Sequence, residues 1–270
     1  METAGLQFGI ERRRAPKTRH GLHSVAAALE PCDETALPKL IHPGNSIAQP
    51  DVSVVCREGK KCLLKDYSPR PLFVRLLLGR PLLRHEYNIL RSLEDVEGVP
   101  DAVEMESPDK MVMEYIDGPG PLGDASETPP EMCPSVDFFD ELKSVVEQMH
   151  SRCISHMDIR RRNVLRRADG RPYLVDFATA FNWGKVPRVF GDRLLRAIGR
   201  CDTIAVLKMQ RSFHPGSLTP AETGLLDHPP WYLSTGRFLR KRVYRRFVKQ
   251  RTWRRRLAAF RERLRSGTDA

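Results

Sequence analysis

The sequence predicts an α+β fold of two lobes, with a small antiparallel sheet in the first lobe and mainly helices in the second. Residues 52–56 and 62–67 are β-rich runs on either side of the turn-like residues 57–60, a pattern typical of an antiparallel hairpin. Apolar side chains then recur at helical spacing from Leu83 to Leu93 and again from Val136 to Met149. The order of these patterns along the chain predicts the two-lobed arrangement.

Within the first lobe, Lys65 lies on the second strand of the predicted hairpin, and Glu86 lies at the edge of the apolar stripe of the first helix. Residues 111–115 predict a further short strand. The Gly- and Pro-rich residues 117–134 that follow predict a linker. This linker is the natural boundary between the two lobes.

The second lobe continues after its first helix with two short strands at 164–166 and 173–175, joined by a turn at 168–170. Asp176 lies at the end of the second of these strands. Beyond Asp176 the pattern is mainly helical, as at residues 204–209.

The chain divides into four predicted regions. They are a poorly ordered N-terminal extension (1–36), the first lobe (37–118), the second lobe (119–236) and a basic amphipathic tail (237–270). We assign no chemistry to the extension.

The positive charge of the chain is concentrated in the tail. The 270 residues carry a net charge of +11, yet residues 237–265 hold fourteen Lys and Arg against one acid, Glu262, so the rest is close to neutral. Leu239, Val243 and Phe247 follow helical spacing between the basic residues, which predicts an amphipathic basic helix or pair of helices. Such a tail packs on the second lobe, lies on an anionic membrane surface or, with the least support because no nucleic-acid-reading motif accompanies it, binds nucleic acid.

The N-terminal residues and the apolar content indicate a cytoplasmic protein. Glu2, Glu11 and a run of arginines have no apolar stretch behind them, which is not typical of a secretory signal. The most apolar stretch, 72–83, is interrupted by Arg75 and Arg80 and is shorter than the roughly 20 apolar residues of a spanning helix. We expect a cytoplasmic location, peripheral at the inner face of the membrane if the tail binds lipid.

The cysteines form no Cys-x-x-Cys pair, which argues against both a zinc site and a disulfide framework. We therefore expect all six to be reduced thiols. They are Cys32, Cys56, Cys62, Cys133, Cys153 and Cys201.

Three polar residues stand out because predicted strands and a helix hold them in place: Asp158 and Asn163 in one loop, and Asp176 after a hairpin. Phosphoryl transfer needs magnesium to bridge the phosphates and a carboxylate to orient the attacking hydroxyl. Carboxylate and amide oxygens are hard ligands that suit Mg²⁺. These residues therefore predict a phosphoryl-transfer site.

Residues 155–165 resemble the protein-kinase catalytic loop, in which His-x-Asp is followed five residues later by Asn. The sequence Asp176-Phe177-Ala178 resembles the Asp-Phe-Gly metal-binding motif. Upstream, Lys65 and Glu86 are similar to the strand lysine and helix glutamate whose ion pair orients the ATP phosphates. The elements occur in the family's order over residues 40–210, and the resemblance implies a two-lobed protein-kinase-like fold.

The resemblance also implies a role for each matched residue. Asp158 would accept or orient the proton of the substrate hydroxyl, while Asn163 and Asp176 would hold Mg²⁺. Lys65, aligned by Glu86, would contact the α- and β-phosphates of ATP.

Further matches concern the phosphates and the adenine. Arg160 lies where a cation often neutralises the transferring phosphoryl group, and His156 is expected to form structural hydrogen bonds rather than to act as a base. Glu114 and Tyr115 fall where the adenine-binding hinge would be. Gly44 is the candidate for covering the phosphates.

The chain departs from the family pattern at three points. No Gly-x-Gly-x-x-Gly precedes the hairpin, Ala178 replaces the motif glycine, and no Ala-Pro-Glu follows Asp176. In this the chain is similar to the atypical branches of the superfamily, namely the bacterial lipopolysaccharide-core sugar kinases (3-deoxy-octulosonic acid and heptose kinases) and the small-molecule phosphotransferases. The resemblance implies an ATP-dependent kinase for a hydroxyl acceptor, such as a lipopolysaccharide-core sugar or another lipid-linked glycan. The alternatives are an atypical protein serine/threonine kinase and a pseudokinase scaffold.

Overall fold

A computed structural model of the chain describes residues 32, 38–44, 46–185 and 192–228. Over these residues the chain is an α+β protein, with a five-stranded antiparallel sheet first and mainly helices with short strand pairs after it. The predicted α+β class is confirmed. The basic tail and, apart from Cys32, the N-terminal extension lie outside the described residues.

The sheet has five antiparallel strands. They are β1 (Lys39–His42), β2 (Asp51–Arg57), β3 (Lys60–Asp66), β4 (Ala102–Ser107) and β5 (Lys110–Glu114). Their order in space is β1-β2-β3-β5-β4. Glu58 and Gly59 close the β2–β3 hairpin with φ of 50° and 70°, the left-handed conformation that a tight hairpin turn favours. Lys65 lies on β3 opposite Val52, which confirms the predicted hairpin.

A helical segment connects β3 to β4. It comprises α1 (Leu72–Val74), a π-helical turn (Arg75–Gly79) and α2 (Arg80–Ser92). Gly79 lies so close to Tyr67 that an added Cβ would come within 2.8 Å of the ring, so the segment is fixed against the end of β3. α2 confirms the predicted first helix, and it buries Leu83, Glu86, Ile89 and Leu90.

Three further α-helices follow the sheet: α3 (Val136–Ser151), α4 (Asp192–Phe213) and α5 (Pro220–Asp227). Ser135 begins α3, because its Oγ accepts a hydrogen bond from the N–H of Phe138 at 3.2 Å. Thr219 and Glu222 form a capping box at the start of α5. In the described part of the chain, no helix combines the length and the apolar character needed to cross a bilayer.

Five short strands lie near the loops of the second half of the chain, one before α3 and four between α3 and α4. They are β6 (Gly120–Pro121), β7 (Ile154–Ser155), β8 (Val164–Arg166), β9 (Pro172–Leu174) and β10 (Phe181–Asn182). β6, β8 and β9 form one small sheet, and β7 pairs with β10. The predicted strand pair on either side of the turn at 168–170 is therefore confirmed.

A single apolar cluster joins the sheet to the helices. It includes Leu90 of α2, Met111 of β5, Phe139 of α3, Leu174 of β9 and Val206 of α4. Because these elements share one core, the polar loops at their ends have fixed relative positions.

One expectation from the cysteines is wrong. Cys32 and Cys56 form a disulfide, with their Cα atoms 5.8 Å apart, whereas Cys62, Cys133, Cys153 and Cys201 remain thiols. The 24-residue separation matches no local motif, and only the fold brings Cys32 against β2. Spacing along the chain therefore gave no signal for this pair.

Candidate functional site

A buried ion pair joins β3 to α2. Lys65 Nζ lies 2.6 Å from Glu86 Oε1 and 2.8 Å from Oε2, and the two residues are 8% and 2% exposed. Burial by itself lowers the pKa of Lys65, but the charges of Glu86 and Asp176 outweigh burial, so the pKa lies above its ordinary value. The lysine is therefore held as a cation that faces one end of the sheet.

The same glutamate also holds the residues that follow β9. The backbone N–H of Phe177 donates to Glu86 Oε1 at 3.0 Å. Asp176 Oδ1 lies 3.7 Å from Lys65 Nζ, and the Asp176 side chain is about half exposed. Glu86 therefore fixes a buried cation and an accessible carboxylate beside each other.

Asp176 adopts a left-handed backbone conformation, with φ 70° and ψ 67°. For a residue other than glycine this conformation costs on the order of 1–3 kcal/mol. Met157, one residue before Asp158, is also left-handed, with φ 65°. Both strained residues therefore lie within or next to the predicted catalytic and metal-binding motifs.

The loop between β7 and β8 brings together the other three predicted residues. Arg160 Nε donates to Asp158 Oδ1 at 2.6 Å, and Arg160 Nη2 donates to Oδ2. Asn163 is buried, and its Nδ2 donates to the carbonyl oxygen of Asp158 at 3.0 Å. The carbonyl of Asn163 in turn accepts from the N–H of Val175 at 3.0 Å. One asparagine thus ties the Asp158 loop to the strand end that precedes Asp176.

His156 is bonded through both of its ring nitrogens. Nε2 lies 3.1 Å from the carbonyl oxygen of Val175, and Nδ1 accepts from the N–H of Asp158 at 3.3 Å. These partners require the neutral tautomer with its proton on Nε2. The ring also packs against Phe177, with centroids 4.7 Å apart. These contacts give His156 a positioning function between the two loops.

Asp202 on α4 is a site residue that sequence reasoning missed. It is 1% exposed, and its carboxylate accepts from the N–H of His156 at 2.7 Å, from the N–H of Met157 at 2.9 Å and from Ser155 Oγ. His150 Nε2 lies 3.3 Å away. Asp202 therefore holds the strained backbone just before Asp158. In the sequence, Asp202 is recognisable only as an acidic residue next to the predicted helical residues 204–209.

At the predicted hinge, Glu114 ends β5. Its Oε2 accepts from the N–H of Asp101 at 3.2 Å, and its own N–H donates to the Asp101 carbonyl at 2.9 Å. Burial raises the pKa of Glu114, and the backbone hydrogen bond from Asp101 opposes that shift. The Glu114 side chain is therefore occupied in holding the start of β4. Tyr115 follows it and is half-buried.

Gly44 lies in the β1–β2 loop, at the end of the sheet where Val52 pairs with Lys65. Its N–H donates to Asp51 Oδ1 at 2.8 Å, and Arg70 Nη2 bonds the same oxygen. A Cβ at Gly44 would come within 2.6 Å of the backbone carbonyl oxygen of Gln49, so this position requires glycine. The amide of Gly44, the residue predicted to cover the phosphates, is already bonded within the protein.

Asp176 and Asn163 are the protein groups suited to a magnesium ion. Among the residues that the structure describes, no group of three His, Cys, Asp or Glu side chains is arranged to hold a metal by itself. A carboxylate with one amide is the small donor set of Mg²⁺ sites in which substrate phosphates and water complete the octahedron. The residues present therefore fit an ion that arrives with a nucleotide.

No protein-family model matches the chain, and no curated protein matches it significantly. Any assignment of activity therefore depends on the geometry of the site and on the resemblance of its motifs. The structure brings Lys65, Glu86 and Asp176 into contact, and it connects Asp158, Arg160 and Asn163 within one loop.

Proposed function

We propose that the protein is an ATP-dependent phosphotransferase with a protein-kinase-like fold that transfers the γ-phosphoryl group to a hydroxyl acceptor. The observation that carries the proposal is the buried Lys65–Glu86 pair, which also binds the backbone of Phe177 and so fixes Asp176 beside a cation. A purely structural ion pair has no need of a strained, half-exposed carboxylate at its open end.

In the proposed reaction, the acceptor oxygen bonds to the γ-phosphorus as the bond between that phosphorus and the ADP oxygen breaks. The hydroxyl proton passes to Asp158. Lys65 holds the α- and β-phosphates, and Asn163 and Asp176 would hold Mg²⁺. The ion, when bound, neutralises charge on the phosphate oxygens.

Arg160 has two positions in this reaction. In the structure its guanidinium covers both carboxylate oxygens of Asp158. For Asp158 to receive the acceptor hydroxyl, Arg160 turns towards the transferring phosphoryl group, where its permanent charge offsets the charge of the transition state. Arg160 thus pairs with Asp158 before the substrate binds and with the phosphoryl group during its transfer.

For the acceptor we propose a sugar hydroxyl of a lipopolysaccharide core or of another lipid-linked glycan. The support is the resemblance of the loop 155–165 to those sugar kinases, together with the lack of an Ala-Pro-Glu peptide-docking motif after Asp176. A protein hydroxyl is the alternative acceptor.

The test is transfer of γ-labelled phosphate from ATP to a panel of core sugars, lipid-linked glycans and generic protein substrates, with wild type and Asp158→Asn. We expect label in one glycan class with wild type, and a loss of at least about a hundredfold in Asp158→Asn with ATP binding retained. Label in protein substrates alone would replace the glycan acceptor with a protein. Transfer that is equal in Asp158→Asn would contradict the proposed function of Asp158, and ATP binding without any transfer would favour the pseudokinase scaffold.

A further inference from the structure

The helical segment before α2 leaves a ridge of apolar side chains exposed. We call Leu72, Phe73, Leu76, Leu77 and Leu78 the apolar ridge; their exposed fractions are 60%, 62%, 47%, 73% and 43%. They account for five of the twelve large apolar side chains that are exposed in the described part of the chain, yet they lie within seven consecutive positions. Apolar surface concentrated in this way marks a contact site.

The helical segment that carries the apolar ridge is anchored to the sheet by its opposite face. Arg75 Nη2 and Arg80 Nε, the latter at 3.0 Å, both bond the carboxylate of Asp109, which is 4% exposed and lies in the β4–β5 turn. The carbonyl of Asp109 accepts from the N–H of Tyr67 at 2.9 Å, and Gly79 packs on the Tyr67 ring. The segment is therefore fixed to the sheet with its arginines turned inward and its leucines turned outward.

The charge of this segment indicates which kind of surface the ridge contacts. Between residues 67 and 92 there are five arginines and one acid, Glu86. Glu86 is buried and paired with Lys65, so it presents no negative charge to a partner. Arg70 pairs with Asp51, Arg91 pairs with Glu94, and Arg75 and Arg80 share the single charge of Asp109. With the exposed Arg84, the segment therefore keeps a net positive charge. An apolar ridge beside basic side chains is the pattern of segments that insert into the interface of an anionic bilayer.

We propose that the apolar ridge is a membrane-docking element that inserts its leucine and phenylalanine side chains into the headgroup region of an anionic lipid surface. The proposal is independent of the basic tail, which lies outside the described residues, and of phosphoryl transfer. The ridge precedes α2, and α2 carries Glu86, so docking there would hold the proposed nucleotide site close to the lipid surface.

The experiment measures binding of the full chain to vesicles of phosphatidylcholine with and without phosphatidylglycerol. The test variant is Phe73→Ser with Leu77→Ser, and the matched control is Leu40→Ser with Ile41→Ser, which removes two comparably exposed apolar side chains from β1. The assay is repeated at high salt, which weakens purely electrostatic binding by the tail. We expect the ridge variant to bind anionic vesicles about tenfold or more weakly, because two apolar side chains no longer leave water, and the control to match wild type.

A second measurement reports insertion directly. Phe73→Trp and Leu40→Trp each add one fluorophore to the chain, and brominated lipid is expected to quench the fluorescence added at position 73 but not that added at position 40. Vesicle binding of the ridge variant equal to wild type, with no extra quenching in Phe73→Trp, would overturn the proposal. An oligomer in solution that the ridge variant converts to monomer, with vesicle binding unchanged, would instead assign the ridge to a second copy of the chain.

Discussion

The carboxylate of Glu86 accepts a hydrogen bond from the backbone N–H of Phe177 at 3.0 Å, although 91 residues separate the two along the chain. Glu86 also binds Lys65 through both oxygens. This glutamate therefore sets the positions of the proposed phosphate-binding lysine and of the proposed metal-binding aspartate together.

Replacing Glu86 tests this double role. Glu86→Gln leaves Lys65 as a buried cation with only the half-exposed Asp176 as a negative partner, and loss of one partner of a buried pair costs about 3–5 kcal/mol of unfolding free energy. We expect that loss in urea unfolding, together with at least about tenfold weaker ATP binding. The control Glu94→Gln, which breaks an exposed pair with Arg91, is expected to change stability by less than about 1 kcal/mol.

A double substitution separates stability from binding. Lys65→Met combined with Glu86→Gln removes both charges and keeps an acceptor for the Phe177 N–H, so it is expected to recover much of the stability that Glu86→Gln alone loses. ATP affinity should stay low, because no cation remains for the phosphates. Recovery of ATP affinity in the double variant would contradict the proposed function of Lys65.

Asp202 is expected to matter for turnover without touching substrate. In Asp202→Asn, one oxygen and one NH₂ group replace a carboxylate that accepts from two backbone N–H groups and from Ser155. We expect a loss of about 2–3 kcal/mol in unfolding free energy and a lower kcat with KM for ATP nearly unchanged. Asp227→Asn, which removes an exposed partner of Arg211, is the matched control. A changed KM with an unchanged kcat would assign Asp202 to nucleotide binding instead.

Arg160 should contribute to kcat rather than to binding. Arg160→Gln keeps hydrogen-bonding groups but removes the charge, so we expect kcat to fall by about 10²–10³ with a smaller change in KM. The control Arg171→Gln removes an exposed partner of Glu97 and is expected to leave kcat unchanged. An increase in kcat for Arg160→Gln would show that Arg160 serves only to cover Asp158.

The stability contributed by Asp109 should depend on pH. Hydrogen bonds from Arg75 and Arg80 hold the pKa of Asp109 well below its ordinary value. Its contribution is therefore fully present above the unfolded pKa of about 4 and is lost as the pH falls towards the folded value. We expect Asp109→Asn to be less stable than wild type at pH 7 and the difference to narrow below about pH 4 in urea unfolding. A difference that stays constant with pH would show that the carboxylate charge contributes nothing.

The sequence predicted those parts of the fold that depend on local pattern. The β2–β3 hairpin follows from two β-rich runs around Glu58 and Gly59, and α2 and α3 follow from apolar side chains at helical spacing. β1 was missed because it has only four residues, all of them exposed. β4 was missed because, although Val103 and Met105 alternate with glutamates, only Ala102 of its six residues is buried.

The candidate site was predicted where its residues are close in sequence. The spacing of Asp158 and Asn163 placed both in one loop, and the short hairpin after them placed Asp176 near by. Asp202 was missed because its partners lie about 45 residues away along the chain, and no local rule connects them. The Cys32–Cys56 disulfide was missed for the same reason.

The proposed function depends on a magnesium-dependent nucleotide site at Lys65, Asn163 and Asp176. It is tested most directly by the thermal shift of wild type and Asp176→Asn with ATP, in the presence and absence of Mg²⁺. We predict that ATP with Mg²⁺ raises the Tm of wild type, because ligand binding stabilises the folded state, and that Asp176→Asn loses the part of the shift that depends on Mg²⁺. Wild type without any shift, or a shift of equal size in Asp176→Asn, would contradict the account.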